Sequence, residues 1–342
     1  MRKDDYLSVC KKLSQSGVAI DYCLSSNVDE KYRKIYNYKG GNGIVTLLGD
    51  YPQKKQKAIS KKIKAKFKLE NIVLGSGSED LIIRCNRIIK NQHWKIGVVL
   101  PTFYRILETL NDYSLRLLKQ DDLDKLPNLV AVWLNNPNPL TGEVIKREYL
   151  LKIFAKYPKT IFFIDEAAMF LLSDWKKYSL LIDISKCKNC VVLTSFSKLY
   201  GISGLRAGFA SGNARIINEI AIYGTTFPFT GLTAYFVDKL LDYDHIFSGI
   251  RLQIRKNKGK LEKFLTEKLD LEVRPSQTNC VFCRRKNGAK FYNELLGVGI
   301  VSLNLDTQKG IKKQGWVRLT AHSSNVLHNQ LISSLQKLLA LR

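Results

Sequence analysis

The chain has 342 residues, 45% hydrophobic and 25% charged. That is enough for a large core and about two domains, and it excludes a disordered or fibrous chain. No apolar run reaches the ~18 residues of a membrane span, and the opening MRKDDYLSVCKKL has no apolar signal segment, so a cytoplasmic protein with no membrane partner is expected. The net charge of +25 has no nucleic-acid motif beside it. It reads as surface lysine, with no nucleic-acid partner and a positive field suited to a phosphate or carboxylate substrate.

In KKQKAISKKIKAKFK (54–68), Ala58, Ile59, Ile63 and Phe67 fall at helical spacing, which predicts an amphipathic helix with a lysine outer face. IVLGSGSEDLIIRC (72–85) reads as strand, glycine turn and helix. Gly75 and Gly77 permit the tight turn. Ser78 and Glu79 open the helix with N–H groups that can hold a phosphate; a plain turn with Ser78 as cap is the alternative. KIGVVL (95–100) is a strand, and PTFY after it puts Phe103 and Tyr104 at its tip, to stack on a flat ring or to pack in the core.

LVAVWL (129–134) is the next strand, followed by a turn, LNNPNPLTGEV (134–144), with a candidate cis X–Pro bond. TIFFIDE (160–166) ends on Asp165 and Glu166. A carboxylate at a buried tip is paired or functional; a cationic ring nitrogen would suit it, and a helix N-cap is the alternative. CVVLTSF (190–196) leads through Ser195 and Ser197 to Lys198, with Arg206 eight residues on. A lysine held near apolar strands has a lowered pKa and forms Schiff bases. An arginine and two hydroxyls beside it suit a phosphate. Together they describe a site for an aldehyde cofactor that carries phosphate.

The alternation of strands and helices predicts an α/β domain with a mostly parallel sheet and ligands beyond the carboxyl ends of its strands. Residues 231–269 read as helical. Then CVFCRR, GIVSLNL and WVRLTAH read as strands before a last helix near 325–341, a smaller α+β domain. The expected division is a large domain over 31–235 and a small one from 1–30 and 236–342. The seven cysteines, Cys10, Cys23, Cys85, Cys187, Cys190, Cys280 and Cys283, are odd in number and read as reduced thiols. Two CxxC pairs occur. Cys280 and Cys283 lie three apart on a strand and point to opposite faces, and CKNC has no histidine nearby, so no metal is expected.

The ordered set GSGSE, PTFY, NPNPLTG, DEA, SFSKLYGISGLRAGF and VRLTAH resembles the fold-type I pyridoxal-phosphate enzymes of the class I/II aminotransferases. It looks closest to the histidinol-phosphate aminotransferase and threonine-phosphate decarboxylase branch, and the likeness covers nearly the whole chain. The resemblance implies pyridoxal 5'-phosphate in a Schiff base with Lys198, which also moves the substrate's α-proton. It places Asp165 on the pyridine nitrogen and Phe103 on the ring. Gly77, Ser78 and Glu79, with Ser195, Ser197 and Arg206, hold the phosphate. Asn138, with Asn136 as the alternative, bonds the ring oxygen. Tyr51 reaches the neighbouring subunit's cofactor, implying a homodimer with shared sites, and Arg318 clamps the substrate carboxylate. His322 stands where the decarboxylases tend to have a second arginine, which places it on a substrate anion, with a structural histidine as the alternative. Ala168 replaces a tyrosine usual in aminotransferases, and Asn304 stands where histidinol-phosphate enzymes have a phosphate-binding arginine, for which Lys309 or Lys312 could substitute. The implied activity is transfer of an amino group between an amino acid, or phosphorylated amine, and a 2-oxo acid. The alternative is decarboxylation of a phosphorylated amino acid.

Overall fold

Successive residues of a strand face opposite sides of its sheet, and in the central strands of this chain both sides are apolar. Val132 and Leu134 enter one core while Ala131 and Trp133 enter another. A sheet so covered is parallel for most of its width. In the computed structural model, residues 20–23, 26, 27, 29–31, 47–111, 113–286 and 291–340 are described. Cys10 and most of the expected N-terminal part of the small domain lie outside them.

A short β1 (Ile20–Asp21) precedes the helix Gln53–Phe67. The main sheet is built from β2 (Ile72–Gly75), β3 (Ile96–Val99), β4 (Leu115–Leu118), β5 (Ala131–Asn135), β6 (Ile161–Asp165), β7 (Cys190–Ser195) and β8 (Gly208–Gly212). Its order is β2-β8-β7-β6-β5-β3-β4, and β8 alone runs against its neighbours. In the helix Gln53–Phe67 the expected apolar face is corrected at one position: Ala58 is exposed. Gln56 is buried instead and donates to Phe229 O at 3.2 Å, because the helix packs against that backbone.

The second sheet is antiparallel, with order β12-β13-β10-β9. It comprises β9 (Leu271–Arg274), β10 (Cys280–Arg285), β12 (Leu303–Asn304) and β13 (Val317–Thr320). β1 pairs in parallel with β11 (Ile300–Val301) beside it. Cys280 and Cys283 enter different clusters, as opposite faces of β10 require. The helix Asp244–Glu267 belongs to two cores at once: Phe247, Ile250 and Ile254 pack with the large sheet, while Leu261 and Leu265 pack with the small one. Among the described residues no helix is long and apolar enough to cross a membrane.

Candidate active site

Because β8 is antiparallel, its start lies at the same sheet edge as the ends of β5, β6 and β7. Gly208 pairs with Gly75 and with Ser195. This edge, outside the carboxyl ends of the parallel strands, is where open α/β sheets bind ligands. A cavity of about 360 Å³ opens there.

One wall is the turn from β2 into the helix Ser78–Asn91. Gly77 caps that helix with φ +84°, a left-handed value that favours glycine. A Cβ on it would come within 2.7 Å of Arg206 Nη2. Ser78 and Glu79 line the cavity in the first helical turn, whose N–H groups have no intrahelical acceptor. Arg206 closes the same corner, itself left-handed with φ 51°. It donates to Ser203 O at 3.1 Å and stands 3.9 Å from Glu79 Oε2. Ser195 and Ser197 lie alongside, and Ser197 N–H donates to Ser195 Oγ at 3.1 Å.

Asp165 ends β6 at the cavity floor and is buried. It accepts from Ala167 N–H at 3.0 Å, a local turn, and from Asn135 Nδ2 at 2.9 Å. Burial pushes its carboxyl up to about 6, against those two donors and Lys198. Lys198 lines the cavity with some exposure to it. Protein surrounds it closely enough that burial, aided by the Arg318 charge, pulls its ammonium down to about 8. A base and an acid are thus held at neighbouring strand ends with pKa values moved toward neutrality.

Phe103, at the tip beyond β3, lines the cavity and meets Tyr104 edge-on at 4.9 Å. Arg318, on β13, is buried at the far side. It donates to Pro139 O at 2.6 Å and to Cys23 O, and no described group accepts from its Nε. Ala168 also lines the wall.

Gly77 stands just behind the wall that Ser78 and Glu79 form, and Asn138, Asn136, His322 and Tyr51 are not brought to the cavity wall. Asn138 donates to Pro101 O at 2.7 Å and accepts from Leu140 N–H at 2.9 Å, so its amide closes its own turn. Asn136 is tied at both ends to Ile145, at 3.1 and 2.9 Å, before a cis bond to Pro137. His322 is buried, with its ring 5.5 Å from that of Tyr22. Tyr51 points outward, 84% exposed, its ring 5.3 Å from that of Phe227.

Sequence reasoning missed Asn135 and Gln308. Asn135 had a signal: it ends an apolar run just as Asp165 does, and the two are in register. Gln308 lines the cavity from a loop and carried no such mark. Glu166, beside Asp165, faces away. It accepts from Ser179 Oγ at 2.5 Å and Leu180 N–H at 2.8 Å, and burial pushes it up to about 8.

Residues 37–335 match the family model for aminotransferase class I and II. The chain is 29% identical over 284 residues to a histidinol-phosphate aminotransferase of Caldanaerobacter subterraneus subsp. tengcongensis, covering 79% of this chain and 78% of that protein. Its fold is similar to that of the histidinol-phosphate aminotransferase of Sinorhizobium meliloti solved with pyridoxal-5'-phosphate, with TM-score 0.80, 15% identity, and 96% and 94% of the two chains covered. It is also similar to L-threonine-O-3-phosphate decarboxylase of Porphyromonas gingivalis, with TM-score 0.77, 19% identity, and 94% and 99% covered.

Proposed function

From the premise that this chain belongs to the class I and II aminotransferases, pyridoxal-phosphate-dependent enzymes, we propose that the cavity at the sheet edge is its active site and that Lys198 and Asp165 are its central pair. The observation that carries this reading is the meeting of the two in one cavity, each shifted toward neutral pH by burial.

The residues fit the cofactor. The Gly77 turn leaves room for Arg206 where a side chain would strike it. Backbone N–H groups at Gly77, Ser78 and Glu79, the hydroxyls of Ser195 and Ser197, and Arg206 together match a phosphate by donor type and charge. Phe103 would pack on a face of the ring, and Asp165 would pair with the ring nitrogen and favour its protonated form. Two donors already favour the ionised form of Asp165, and a cationic nitrogen adds to them. When bound, pyridoxal phosphate supplies the aldehyde that captures an amino group and the ring that stores the electron pair left on Cα.

The chain's own residues do the rest. Lys198 Nζ, neutral above about pH 8, anchors the cofactor, takes the proton from substrate Cα and returns a proton during transfer. Arg318 orients the substrate through its carboxylate. Asn138 and Asn136 retain a structural part in the turn that carries Pro139 to Arg318, and His322 packs behind the substrate end.

Tyr51, exposed and turned from its own cavity, is assigned to the cofactor phosphate of a second copy in a homodimer. The cytoplasm is assigned as its compartment, supported by six described cysteines that are all free thiols.

The test is a coupled assay. Holoenzyme with an amino donor and a 2-oxo acid is expected to yield the new amino acid and the new 2-oxo acid in equal amounts. Carbon dioxide released without 2-oxo acid would move the reading to decarboxylation.

A further inference from the structure

Among the described residues, three cations line the cavity: Lys198, Arg206 and Arg318. On the reading above, Lys198 and Arg206 serve the cofactor, which leaves Arg318 to meet an anion on the substrate. Its η nitrogens already donate to the Pro139 and Cys23 carbonyls. Lys309 and Lys312 are exposed and do not line the wall. Asn304 turns its amide oxygen to its own loop, accepting from Asp306 N–H at 3.0 Å. A phosphate monoester carries about −1.5 to −2 charge at neutral pH. Among the described residues one guanidinium is left for the substrate, which balances a carboxylate but only part of the charge of a buried phosphate.

The same wall holds an unused acceptor. Gln308 is 7% exposed and lines the cavity. Its Nε2 donates to Thr307 Oγ1 at 2.8 Å and its N–H to Leu305 O at 3.0 Å. No described residue donates to its carboxamide oxygen. The segment is fixed in place: a Cβ on Gly310, at φ +86°, would lie 2.8 Å from Leu100 Cβ, so the loop sits tight on the tip of β3. Leu140, Thr278 and Leu303 complete an uncharged surface. A carboxamide oxygen with no protein donor in a cavity wall is free to accept from a ligand.

We propose that the amino substrate is an unphosphorylated α-amino acid with one carboxylate, met by Arg318, and an uncharged side chain whose N–H or O–H is accepted by Gln308. This rests on the aminotransferase reading and names its substrate class. Gln308 is the specificity-determining residue.

The experiment is a single-turnover titration of holoenzyme in the aldehyde form, followed by absorbance. The panel is glutamine, asparagine, tyrosine and alanine, set against histidinol phosphate and O-phosphothreonine. At least one of the first three is expected to exceed both phosphorylated amines by about tenfold or more in second-order rate. Gln308→Leu is expected to lower the rate for that amino acid about tenfold more than the rate for alanine, the loss of one hydrogen bond. Gln308→Arg, a second variant, is expected to raise the rate with histidinol phosphate. A phosphorylated amine reacting fastest with the wild type overturns the inference, as does an equal loss for alanine in Gln308→Leu. If no amine reacts although Lys198 carries a borohydride-reducible label, the aminotransferase reading falls and takes this inference with it.

Discussion

Asn135 and Asp165 end neighbouring parallel strands in register, and the Asn135 amide donates to the Asp165 carboxylate at 2.9 Å. The same Asn135 accepts, through Oδ1, from Thr102 Oγ1 at 2.6 Å and from Phe103 N–H at 3.2 Å. One side chain therefore ties the aromatic lid to the acid on the floor. Asn135→Ala removes a donor from an ionised, buried carboxylate, a contribution of about 1.5–3 kcal/mol. We expect kcat to fall about tenfold or more and the acidic limb of the pH profile to move upward, since the charged form of Asp165 loses support. A lower rate with an unmoved limb would mean that Asn135 serves the fold alone.

Lys198→Ala is expected to abolish the borohydride-reducible attachment of pyridoxal phosphate and to lower kcat by at least about a thousandfold, in the range of a lost general base. Mass spectrometry of the reduced, digested protein locates the label. A label persisting in the variant would place the attachment elsewhere.

Attachment should also depend on pH. An ordinary lysine starts from 10.5, and here the group sits at about 8, so the neutral amine gains about tenfold per unit up to that point and saturates beyond it. Reconstitution of apoenzyme with pyridoxal phosphate is expected to quicken from pH 6 to 8 and then level off. A rate still climbing toward pH 10 would show an unperturbed lysine.

Glu166 carries a linkage of definite sign. Its folded-state pKa rises from 4.5 to about 8, so between those values the folded protein binds more protons than the unfolded chain. Its contribution is fully present below 4.5 and is lost as pH rises toward 8. Glu166→Gln keeps the shape and one acceptor for the Leu180 N–H. The variant is expected to show a flatter melting temperature against pH over this window and to gain relative to wild type at its upper end.

Gly208→Ala tests the corner where strand and helix meet. The added Cβ would lie 2.6 Å from Thr194 O and 3.0 Å from Ser78 N, both backbone atoms, so the helix N-terminus must shift. We expect about a tenfold weaker affinity for pyridoxal phosphate by fluorescence titration, together with a lower melting temperature. Unchanged affinity would separate this corner from the phosphate.

The strands of the seven-stranded sheet were legible because both-face burial leaves unbroken apolar runs, and Asp165 and Lys198 stood out as charges at the ends of those runs. The turn proposed for the phosphate was legible from Gly77, which no other residue fits easily at φ +84°. Asn138 was a plausible amide in the right turn, but a turn's own N–H groups compete for an asparagine side chain, and here they win. Tyr51 cannot be placed by one chain, since its expected target belongs to a second. Gln308 was invisible because its position depends on a loop folding back onto Leu100, a contact between residues far apart in sequence.

The helix Asp244–Glu267 has 24 residues and so a length of roughly 36 Å. Its first half is held by Phe247, Ile250 and Ile254 in the core of the large sheet, and its second half by Leu261 and Leu265 in the core of the small one. One stiff rod is thus a shared spine, connecting the sheet that carries Arg318 to the sheet that carries Asp165.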